Sequence, residues 1–394
     1  MEENSYERYN WTREDMAANC RPEKMGRCGL VYTVEQIAQL TYSRKVFCFG
    51  SGKIGIQFVE TLAIYDFNEQ NLMFVDNDME KHETIMSVGD YSAIKIISKK
   101  MMIDLIDESD FILYTMSLYH GLYEIQWAIN EYKNEQRKIH NILYYDTVGK
   151  GAREISVYDG RCLICNQDTR FTSIGKQSIP RYDCLCVRCL SNPRERAVVH
   201  AINRFFPLWK NCIIHESSPT LDNATTQHFS TNCERYFTSQ YFQGIQSGEL
   251  VEYQGNRILC EDLGDMSFAD DSIDLFITQD VFEHILKPAK AFKEIARVLK
   301  SGGAHIFTLP WFSEYQTTHC RAKEVDGKIT YLEKKMYHGN PVDQAGSLVT
   351  NDWGVDLMDF IHKCSGMRTM VYLYENKELG LEGEFLEVFI SYKE

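Results

Sequence analysis

The stretch from Leu263 to Gly303 decides the fold of the C-terminal half of this chain. It reads LGDMSFADDSIDLFITQDVFEHILKPAKAFKEIARVLKSGG. Asp270 and Asp271 favour a turn, and the apolar run after them predicts a buried strand over Ile273–Thr278. An apolar stripe then predicts a helix over Val281–Lys300, which the glycine pair after it would end. A buried strand followed by such a helix is typical of a parallel sheet that is covered on both faces.

Further strands on both sides of this unit extend the sheet. Short apolar runs predict strands at Cys212–His215, Arg235–Thr238, Ile258–Cys260 and Ala304–Leu309. Two longer runs, Thr369–Tyr374 and Phe385–Tyr392, predict a terminal hairpin around a glycine-bearing turn. In an open sheet of this kind, a ligand lies beyond the carboxyl ends of the parallel strands.

The order of strand, EH-bearing helix and RVLK-GG turn resembles the small-molecule branch of the class I methyltransferases. The resemblance covers about Phe206 to Glu394. It implies S-adenosylmethionine (SAM) as the cofactor and places the terminal hairpin inside the parallel sheet. With the strand-end rule, the expected cofactor-binding residues are Glu216, Ser217, Ser218, Thr238, Ser239, Asp262, Leu263, Gln279 and Asp280.

Two turns depart from the pattern of that family. Most of its members carry a glycine-rich loop after the first strand, whereas residues 215–220 (HESSPT) contain no glycine. Small hydroxyls and backbone N–H groups can still bind the carboxylate and amine of SAM. An acid usually follows the second strand, where this chain has Thr238-Ser239-Gln240. Asp262, after the third strand, is the candidate for the adenine amino group, with a turn cap as the other reading.

Four cysteines form two CxxC pairs, Cys162–Cys165 and Cys186–Cys189, about twenty residues apart. This spacing is typical of a tetrahedral four-cysteine zinc site in which each pair makes one knuckle. Four thiolates leave no open position on the metal, so the predicted zinc is structural. Cys184 could replace Cys186 as a ligand, but it does not complete a CxxC.

Strands and helices also alternate between residues 45 and 147. The apolar runs predict a second, Rossmann-like parallel sheet with a helix over Ile54–Tyr65. A further helix is predicted from the apolar stripe of Leu122, Ile125, Ile129 and Tyr132. The predicted strands are Lys45–Phe49, Leu72–Val75, Ala93–Ile97, Phe111–Thr115 and Ile142–Tyr145.

Gly50, Gly52 and Gly55 form a GxGxxG between the first of these strands and its helix, and Asp76 ends the next strand. This is the context of a dinucleotide-binding fingerprint, in which the acid bonds a ribose. The run FVDND over residues 74–78 also resembles the nucleotide-sugar-binding domains of bacterial sugar acyltransferases. Three readings stay open: a nucleotide or nucleotide-sugar site, an NAD(P) site, and a loop that serves only the scaffold.

Composition narrows the class of protein. The chain has 394 residues and a net charge of −14 at pH 7, which disfavours a general nucleic-acid binder. One basic segment, Gly160–Arg204, holds eight Lys and Arg against three Asp and Glu and could face an anionic group. The odd number of cysteines, 13, and the lack of a signal peptide or long apolar stretch predict a reduced, cytoplasmic protein without a membrane span.

The expected architecture is α/β, with two Rossmann-like parallel-sheet domains joined by a small zinc-ribbon-like insert. We expect a polar leader (1–44), a domain with the glycine loop (45–150), the zinc-binding insert with its four cysteines (151–194) and a class I methyltransferase domain (195–394). The sequence predicts no particular oligomeric state.

The expected activity is SAM-dependent O-methyl transfer to a sugar, nucleotide-sugar or glycan. Residues 162–394 resemble methyltransferases from bacterial surface-polysaccharide gene clusters. Methylating a hydroxyl needs a base to take its proton. His338 is the first candidate and His319 the second, while His284 is expected to pack or line the pocket. Two alternatives stay open: an RNA base methyltransferase with a zinc-binding substrate module, and a degenerate, non-catalytic Rossmann pair that only binds.

Overall fold

The computed structural model of the chain describes residues 5–8, 32–88, 91–107, 109–116, 142–146, 151–154, 156–173, 184–220, 223–253, 255–340, 342–343 and 345–394. The helix predicted from Leu122, Ile125, Ile129 and Tyr132 lies outside these residues. The chain divides into a first unit, Gly26–Asp159 with Thr169–Leu190, and a second unit, Met1–Met25 with Gly160–Asp168 and Ser191–Glu394. No helix in the described ranges is both long and apolar enough to cross a membrane.

The elements before Pro193 are short. In chain order they are β1 (Ser5–Arg8), β2 (Tyr32–Thr33), α1 (Val34–Leu40), β3 (Val46–Phe49), α2 (Lys53–Leu62), β4 (Leu72–Val75), β5 (Ile85–Val88), β6 (Tyr91–Ile97), α3 (Lys99–Leu105), β7 (Phe111–Tyr114), β8 (Ile142–Asp146), β9 (Gly151–Glu154), β10 (Ser156–Cys162) and β11 (Gln167–Ser173).

The described part of the first unit is built on one sheet in the order β2-β9-β8-β7-β3-β4-β6-β5. The five central strands run parallel, and β2, β9 and β5 join the edges antiparallel. Phe58 and Leu62 of α2 are fully buried on one face of the sheet, and Phe47 and Tyr114 are buried on the other. Apolar residues on both faces are the property from which the parallel sheet was predicted.

The insert contains a two-stranded sheet of β10 and β11. The turn between them passes through Asn166, whose φ of +52° lies in the left-handed region that asparagine tolerates. Its second cysteine pair is held to β11 by backbone bonds: Thr172 N donates to Leu185 O (3.0 Å), and Val187 N donates to Arg170 O (3.0 Å). Cys186 therefore lies beside Phe171 of β11 and not in an open loop.

The second unit contains longer elements. They are α4 (Pro193–Phe205), β12 (Ile214–Ser217), α5 (Ala224–Asn232), β13 (Tyr236–Gln240), β14 (Leu250–Tyr253), β15 (Asn256–Cys260), β16 (Ile273–Gln279), α6 (Pro288–Val298), β17 (Leu299–Thr308), β18 (His319–Cys320), β19 (Ala322–Val325), β20 (Lys328–Tyr331), β21 (Tyr337–His338), β22 (Ser347–Leu348), β23 (Asn351–Asp352), α7 (Leu357–Ser365), β24 (Arg368–Asn376) and β25 (Val388–Tyr392).

The large sheet of the second unit has the order β1-β24-β25-β17-β16-β12-β13-β15-β14 among the described strands. Strands β15, β13, β12, β16 and β17 run parallel. The last strand, β25, runs antiparallel between β17 and β24. Numbering β12, β13, β15, β16, β17, β24 and β25 from one to seven gives the order 3-2-1-4-5-7-6. The predicted insertion of the terminal hairpin into a parallel sheet is confirmed.

The helix predicted over Val281–Lys300 is wrong at both ends. Phe282–His284 forms a single 3-10 turn, and the α-helix begins only at Pro288, because the residue before a proline is pushed out of the helical region. Leu299 already pairs with Ile273 of β16, so the helix ends at Val298. The spacing of apolar residues along the sequence cannot predict such a pairing between strands.

The glycine pair after that helix therefore has a different role from the predicted cap. A Cβ on Gly303 would lie 2.8 Å from the backbone oxygen of Asp274, and Gly302 has a φ of +77°. Both lie within β17. Only glycine lets β17 approach β16 this closely at the start of their pairing.

Candidate functional site

The parallel strands of the second unit end at one edge of its sheet, and most of the predicted cofactor-binding residues lie there. In register, Glu216 pairs with Thr238 of β13, and Ser217 pairs with Ser239 of β13 and Thr278 of β16. Gln279 and Asp280 follow directly at the end of β16. The sheet therefore brings the side chains after three adjacent strands to a common edge.

Glu216 ties the ends of these strands together. Its side chain is fully buried; Tyr236 Oη donates to Oε2, and Gln279 Nε2 donates to Oε1 at 2.7 Å. Burial raises the pKa of Glu216 above its ordinary value, although both hydrogen bonds act in the opposite direction. Both carboxylate oxygens are thus used to fix β12 against β13 and β16.

Gln279 leaves an acceptor at this edge. While its Nε2 bonds Glu216, its Oε1 is buried and has no hydrogen-bond partner among the described residues. Buried amide oxygens are nearly always bonded, so an unsatisfied one beyond the strand ends suits a ligand that carries N–H groups. The ammonium group of SAM has this chemistry.

The turn after β12 explains why no glycine is present there. Ser218 has a φ of +57°, the conformation for which a glycine is usually required. Its N–H donates to Ser239 O at 2.8 Å, and Gln240 Nε2 donates to Pro219 O at 2.5 Å. These bonds hold the turn in place, so a short side chain occupies the position of the missing glycine.

Asp280 is held by an arginine that the sequence did not reveal as a site residue. Arg194 Nη1, in the first turn of α4, donates to Asp280 Oδ2, and Thr308 Oγ1 donates to Oδ1 at 3.2 Å. Asp280 itself has a φ of +55°. The pairing joins residues 86 positions apart in the chain, so only the fold could show it.

Asp262 and Leu263 follow β15. Asp262 is exposed, and its Oδ1 accepts the N–H of Gly264 at 2.7 Å, the turn-cap role considered from the sequence. Leu263 is buried in the core, so its backbone is the part that can face a ligand. The buried acid at this strand end is Glu261, which accepts the N–H of Ser267 at 2.9 Å. The second carboxylate oxygen of Asp262 takes no part in the bond to Gly264 and can meet an adenine.

The sequence between the strands agrees with this geometry. The methyltransferase domain family matches residues 226–307, a segment that runs from α5 through β17. Together with the strand order, this match supports a SAM-dependent methyltransferase with the class I fold in its C-terminal region, which is called the methyltransferase domain below.

No curated protein sequence matches the chain. Among solved structures, the methyltransferase domain is similar to chains from three sources. The first is the complex between the Haloferax volcanii Trm112 methyltransferase activator and a methyltransferase, with 14% identity over 51% of this chain and 90% of that chain and a TM-score of 0.32. The second is a SAM-dependent methyltransferase from Mesorhizobium loti, with 13% identity over 50% of this chain and 96% of that chain and a TM-score of 0.30. The third is a SAM-dependent methyltransferase from Thermotoga maritima, with 16% identity over 51% of this chain and 89% of that chain and a TM-score of 0.30. The fold is assigned from the strand order of the large sheet and not from these similarities.

The two predicted base candidates lie on different parts of the methyltransferase domain. His338 lies on β21, which pairs with β22, and its Nδ1 is 3.9 Å from Glu283 Oε1. His319 is exposed on β18 and stacks on Tyr315 with ring centroids 4.2 Å apart. His284, expected to pack, lies beside His338 at 5.1 Å between ring centroids. Burial lowers the pKa of His284, so its ring is neutral at pH 7.

The four predicted zinc ligands come together. The sulfur atoms of Cys162, Cys165, Cys186 and Cys189 all lie within 4.8 Å of one another. Cys184, the substitute considered from the sequence, is not in this group; its sulfur lies 2.6 Å from Tyr158 Oη. The donor set is the one that Zn²⁺ prefers in structural sites.

The glycine loop of the first unit encloses Asp76. Ser51 N and Ser51 Oγ donate to Asp76 Oδ2, and Lys81 Nζ lies 3.2 Å from the same oxygen. Burial raises the pKa of Asp76, but these hydrogen bonds outweigh it and hold the pKa below its ordinary value. Asp76 is therefore ionised and anchored to the loop.

The three glycines of that loop differ in what they permit. A Cβ on Gly55 would lie 2.2 Å from Gly50 O, so Gly55 is needed for the contact between loop and helix. Gly50 has a φ of +99°. A Cβ on Gly52 would meet no atom within 4 Å, so Gly52 faces open space at the start of α2.

Proposed function

We propose that the chain transfers the methyl group of SAM to a hydroxyl oxygen of a sugar, nucleotide-sugar or glycan. The observation that carries this proposal is the position of His338, a half-buried imidazole on β21, between β17 and the final hairpin. Resemblance to class I methyltransferases assigns acceptor-binding elements to this segment. The same segment holds a polar pair suited to hydroxyl groups, Arg321 with Asp352 (2.7 Å).

SAM would lie against the strand ends, with Gln279 Oε1 and the turn at Ser217 and Ser218 facing its amino-acid part and Asp262 facing its adenine. SAM supplies a methyl group bonded to a positive sulfur. The chain must align the acceptor oxygen with that methyl group and remove the hydroxyl proton. His338 is the proposed proton acceptor, with His319 as the second candidate.

The cysteine cluster is proposed to hold one structural zinc. Four thiolates fill a tetrahedral ion and leave no position for a substrate, so the metal would stabilise the insert and take no part in methyl transfer. A coordinated zinc would also join the two knuckles of the insert across the twenty residues that separate them in sequence.

The first unit is proposed as a Rossmann-like domain that binds a nucleotide or nucleotide-sugar at its glycine loop, with NAD(P) as the second candidate. The open space at Gly52 supports this, since a pyrophosphate needs close approach to the start of a helix. Asp76, ionised at the end of β4, would accept the ribose hydroxyls.

Calorimetry with SAM on the purified full chain tests the main proposal, followed by assays of SAM consumption with sugars, nucleoside diphosphate sugars and RNA. We expect SAM to bind and to be consumed with a sugar or a nucleoside diphosphate sugar and not with RNA. Consumption with RNA alone would replace the proposal by the RNA methyltransferase. Absence of SAM binding would favour the non-catalytic alternative.

A further inference from the structure

Three side chains of the methyltransferase domain form a compact group, here called the Glu–His–His cluster: Glu283, His284 and His338. Their ligand atoms all lie within 4.8 Å of one another. Glu283 Oε1 is 3.8 Å from His284 Nε2 and 3.9 Å from His338 Nδ1. The side chain of Glu283 is 2% exposed, that of His284 15% and that of His338 39%, so the cluster opens to solvent on the side of His338.

The cluster is held by backbone contacts from a distant part of the chain. Glu283 and His284 end the 3-10 turn after β16, and the Glu283 carbonyl accepts the N–H of Thr350 at 2.7 Å and its Oγ1 at 3.0 Å. Trp353 Nε1 donates to the carbonyl of Phe282 at 3.1 Å. Such anchoring holds the 3-10 turn that carries Glu283 and His284 in place before any ligand binds.

His284 is oriented as a metal ligand would be. Its Nδ1 lies 3.0 Å from the carbonyl oxygen of Leu348, and a carbonyl can only accept, so Nδ1 carries the proton. In a neutral ring, Nε2 then holds the lone pair, and it is Nε2 that faces Glu283. A backbone carbonyl bonded to the far nitrogen is the usual outer partner of a metal-bound histidine.

We infer that the Glu–His–His cluster binds a divalent transition-metal ion. Two imidazoles and one carboxylate, with open positions left over, are the ligands of catalytic zinc and related sites. Ligand bonds of about 2.0–2.2 Å put neighbouring ligand atoms about 3–4 Å apart. The separations of 3.8 and 3.9 Å therefore need only small side-chain movements.

The role of the ion follows from its place, and this part rests on the proposed function. Only Val281 separates Asp280, at the edge proposed for SAM, from the 3-10 turn that carries Glu283 and His284. The acceptor hydroxyl would occupy an open position on the ion, which lowers the pKa of the hydroxyl. Its proton passes to water, the oxygen bonds to the methyl carbon, and the carbon–sulfur bond breaks with its electron pair on sulfur. With the ion bound, His338 serves the acceptor as a metal ligand and water takes the proton, whereas without the ion His338 is the proton acceptor proposed above.

Zinc content of the full chain tests the site. Each protein is equilibrated with Zn²⁺, freed of weakly held ion by dialysis, and measured by elemental analysis beside its protein concentration. We expect wild type to hold one equivalent more than His338→Ala and one more than Glu283→Gln. His319→Ala, a histidine outside the cluster, should match wild type. Cys162→Ser should lose an equivalent independently, which separates the two sites.

Equal zinc content in wild type, His338→Ala and Glu283→Gln would overturn the inference. Circular dichroism of each variant shows whether it is folded, and half-exposed His338 is the change that the fold tolerates best. SAM calorimetry on the same wild-type sample separates the two proposals. If SAM binds but the additional zinc is absent, the metal site at the Glu–His–His cluster is wrong and the proposed function stands. If the additional zinc is present but SAM does not bind, the proposed function is wrong and the metal site stands.

Discussion

Arg194 in the first turn of α4 donates a hydrogen bond to the carboxylate of Asp280 at the end of β16. The side chains are only 13% and 12% exposed, so the pair is shielded from water on most sides. The helix that begins the methyltransferase domain is thereby fastened to the edge proposed for SAM. Stability and ligand binding should therefore depend on the same contact.

Arg194→Ala should destabilise the folded chain by about 3 kcal/mol, because it leaves a largely buried carboxylate without its cation. Arg257→Ala is the matched control, since Arg257 pairs with Glu252 where both side chains are about 70% exposed. We expect the control to change stability by at most about 1 kcal/mol. Urea unfolding of both variants measures the free energy of unfolding. Equal losses in the two variants would show that the buried Arg194–Asp280 pair stabilises the fold no more than an exposed pair does.

Asp262→Ala should weaken SAM binding about tenfold, because one or two hydrogen bonds of about 0.5–1.5 kcal/mol each would be lost. Asp262→Asn is the control: its side-chain oxygen can keep the bond from Gly264, so the turn should survive. Calorimetry with SAM measures both. Full affinity in the alanine variant would mean that Asp262 serves only the turn.

His338→Ala should leave SAM affinity nearly unchanged while methyl transfer falls by about 10²–10⁴. The reason is that His338 is proposed to act on the acceptor and not on the cofactor. His362→Ala on α7 is the control and should keep full activity. Calorimetry and SAM consumption together decide the outcome. A parallel loss of SAM affinity would show that the pocket is misplaced.

Two glycines of the first unit should respond in opposite ways. Gly55→Ala should destabilise the chain, because the new Cβ would press on Gly50 O from 2.2 Å. Gly52→Val has open space and should fold, yet it should block a nucleotide or nucleotide-sugar while SAM still binds. Thermal shift with nucleotides measures both effects. If no nucleotide or nucleotide-sugar stabilises the wild type, the glycine loop serves only the scaffold.

Lowering the pH should destabilise the folded chain because two buried histidines, His215 and His305, are neutral in it. Burial lowers the pKa of His215 and of His305 to about 3, against about 6.5 in an unfolded chain. Below pH 6.5 both histidines are protonated in the unfolded chain but stay neutral in the folded chain. The free energy of unfolding therefore falls as the pH is lowered, until the pH reaches about 3. Between pH 7 and pH 5 each histidine should remove about 2 kcal/mol.

Urea unfolding of wild type and of His305→Gln at both pH values checks this. The glutamine variant should be less stable at pH 7, since His305 Nε2 bonds Thr278 Oγ1 at 2.9 Å, but it should lose less on going to pH 5. An unchanged pH dependence in the variant would show that His305 is not responsible.

The sequence predicted the parts of this structure that depend on local pattern. Leu72–Val75 is a strand with the bounds expected from its apolar run, and the four clustered cysteines followed from their spacing. Parts that depend on distant partners were missed. The Arg194–Asp280 pair and the meeting of His338 with Glu283 each join segments more than fifty residues apart, for which no periodicity exists.

Ser218 and Asp280 hold left-handed backbone at the two turns that face the proposed SAM site. Such conformations cost a non-glycine residue on the order of 1 kcal/mol or more, a cost that the surrounding fold must bear. Selection for heat resistance alone would reward glycine at position 218, whereas glycine at position 280 would also remove the partner of Arg194. Glycine at position 218 would make the turn after β12 more mobile, and the ligand would then have to order that turn. A substitution that raises the stability of the folded chain in this way would therefore weaken the binding of SAM.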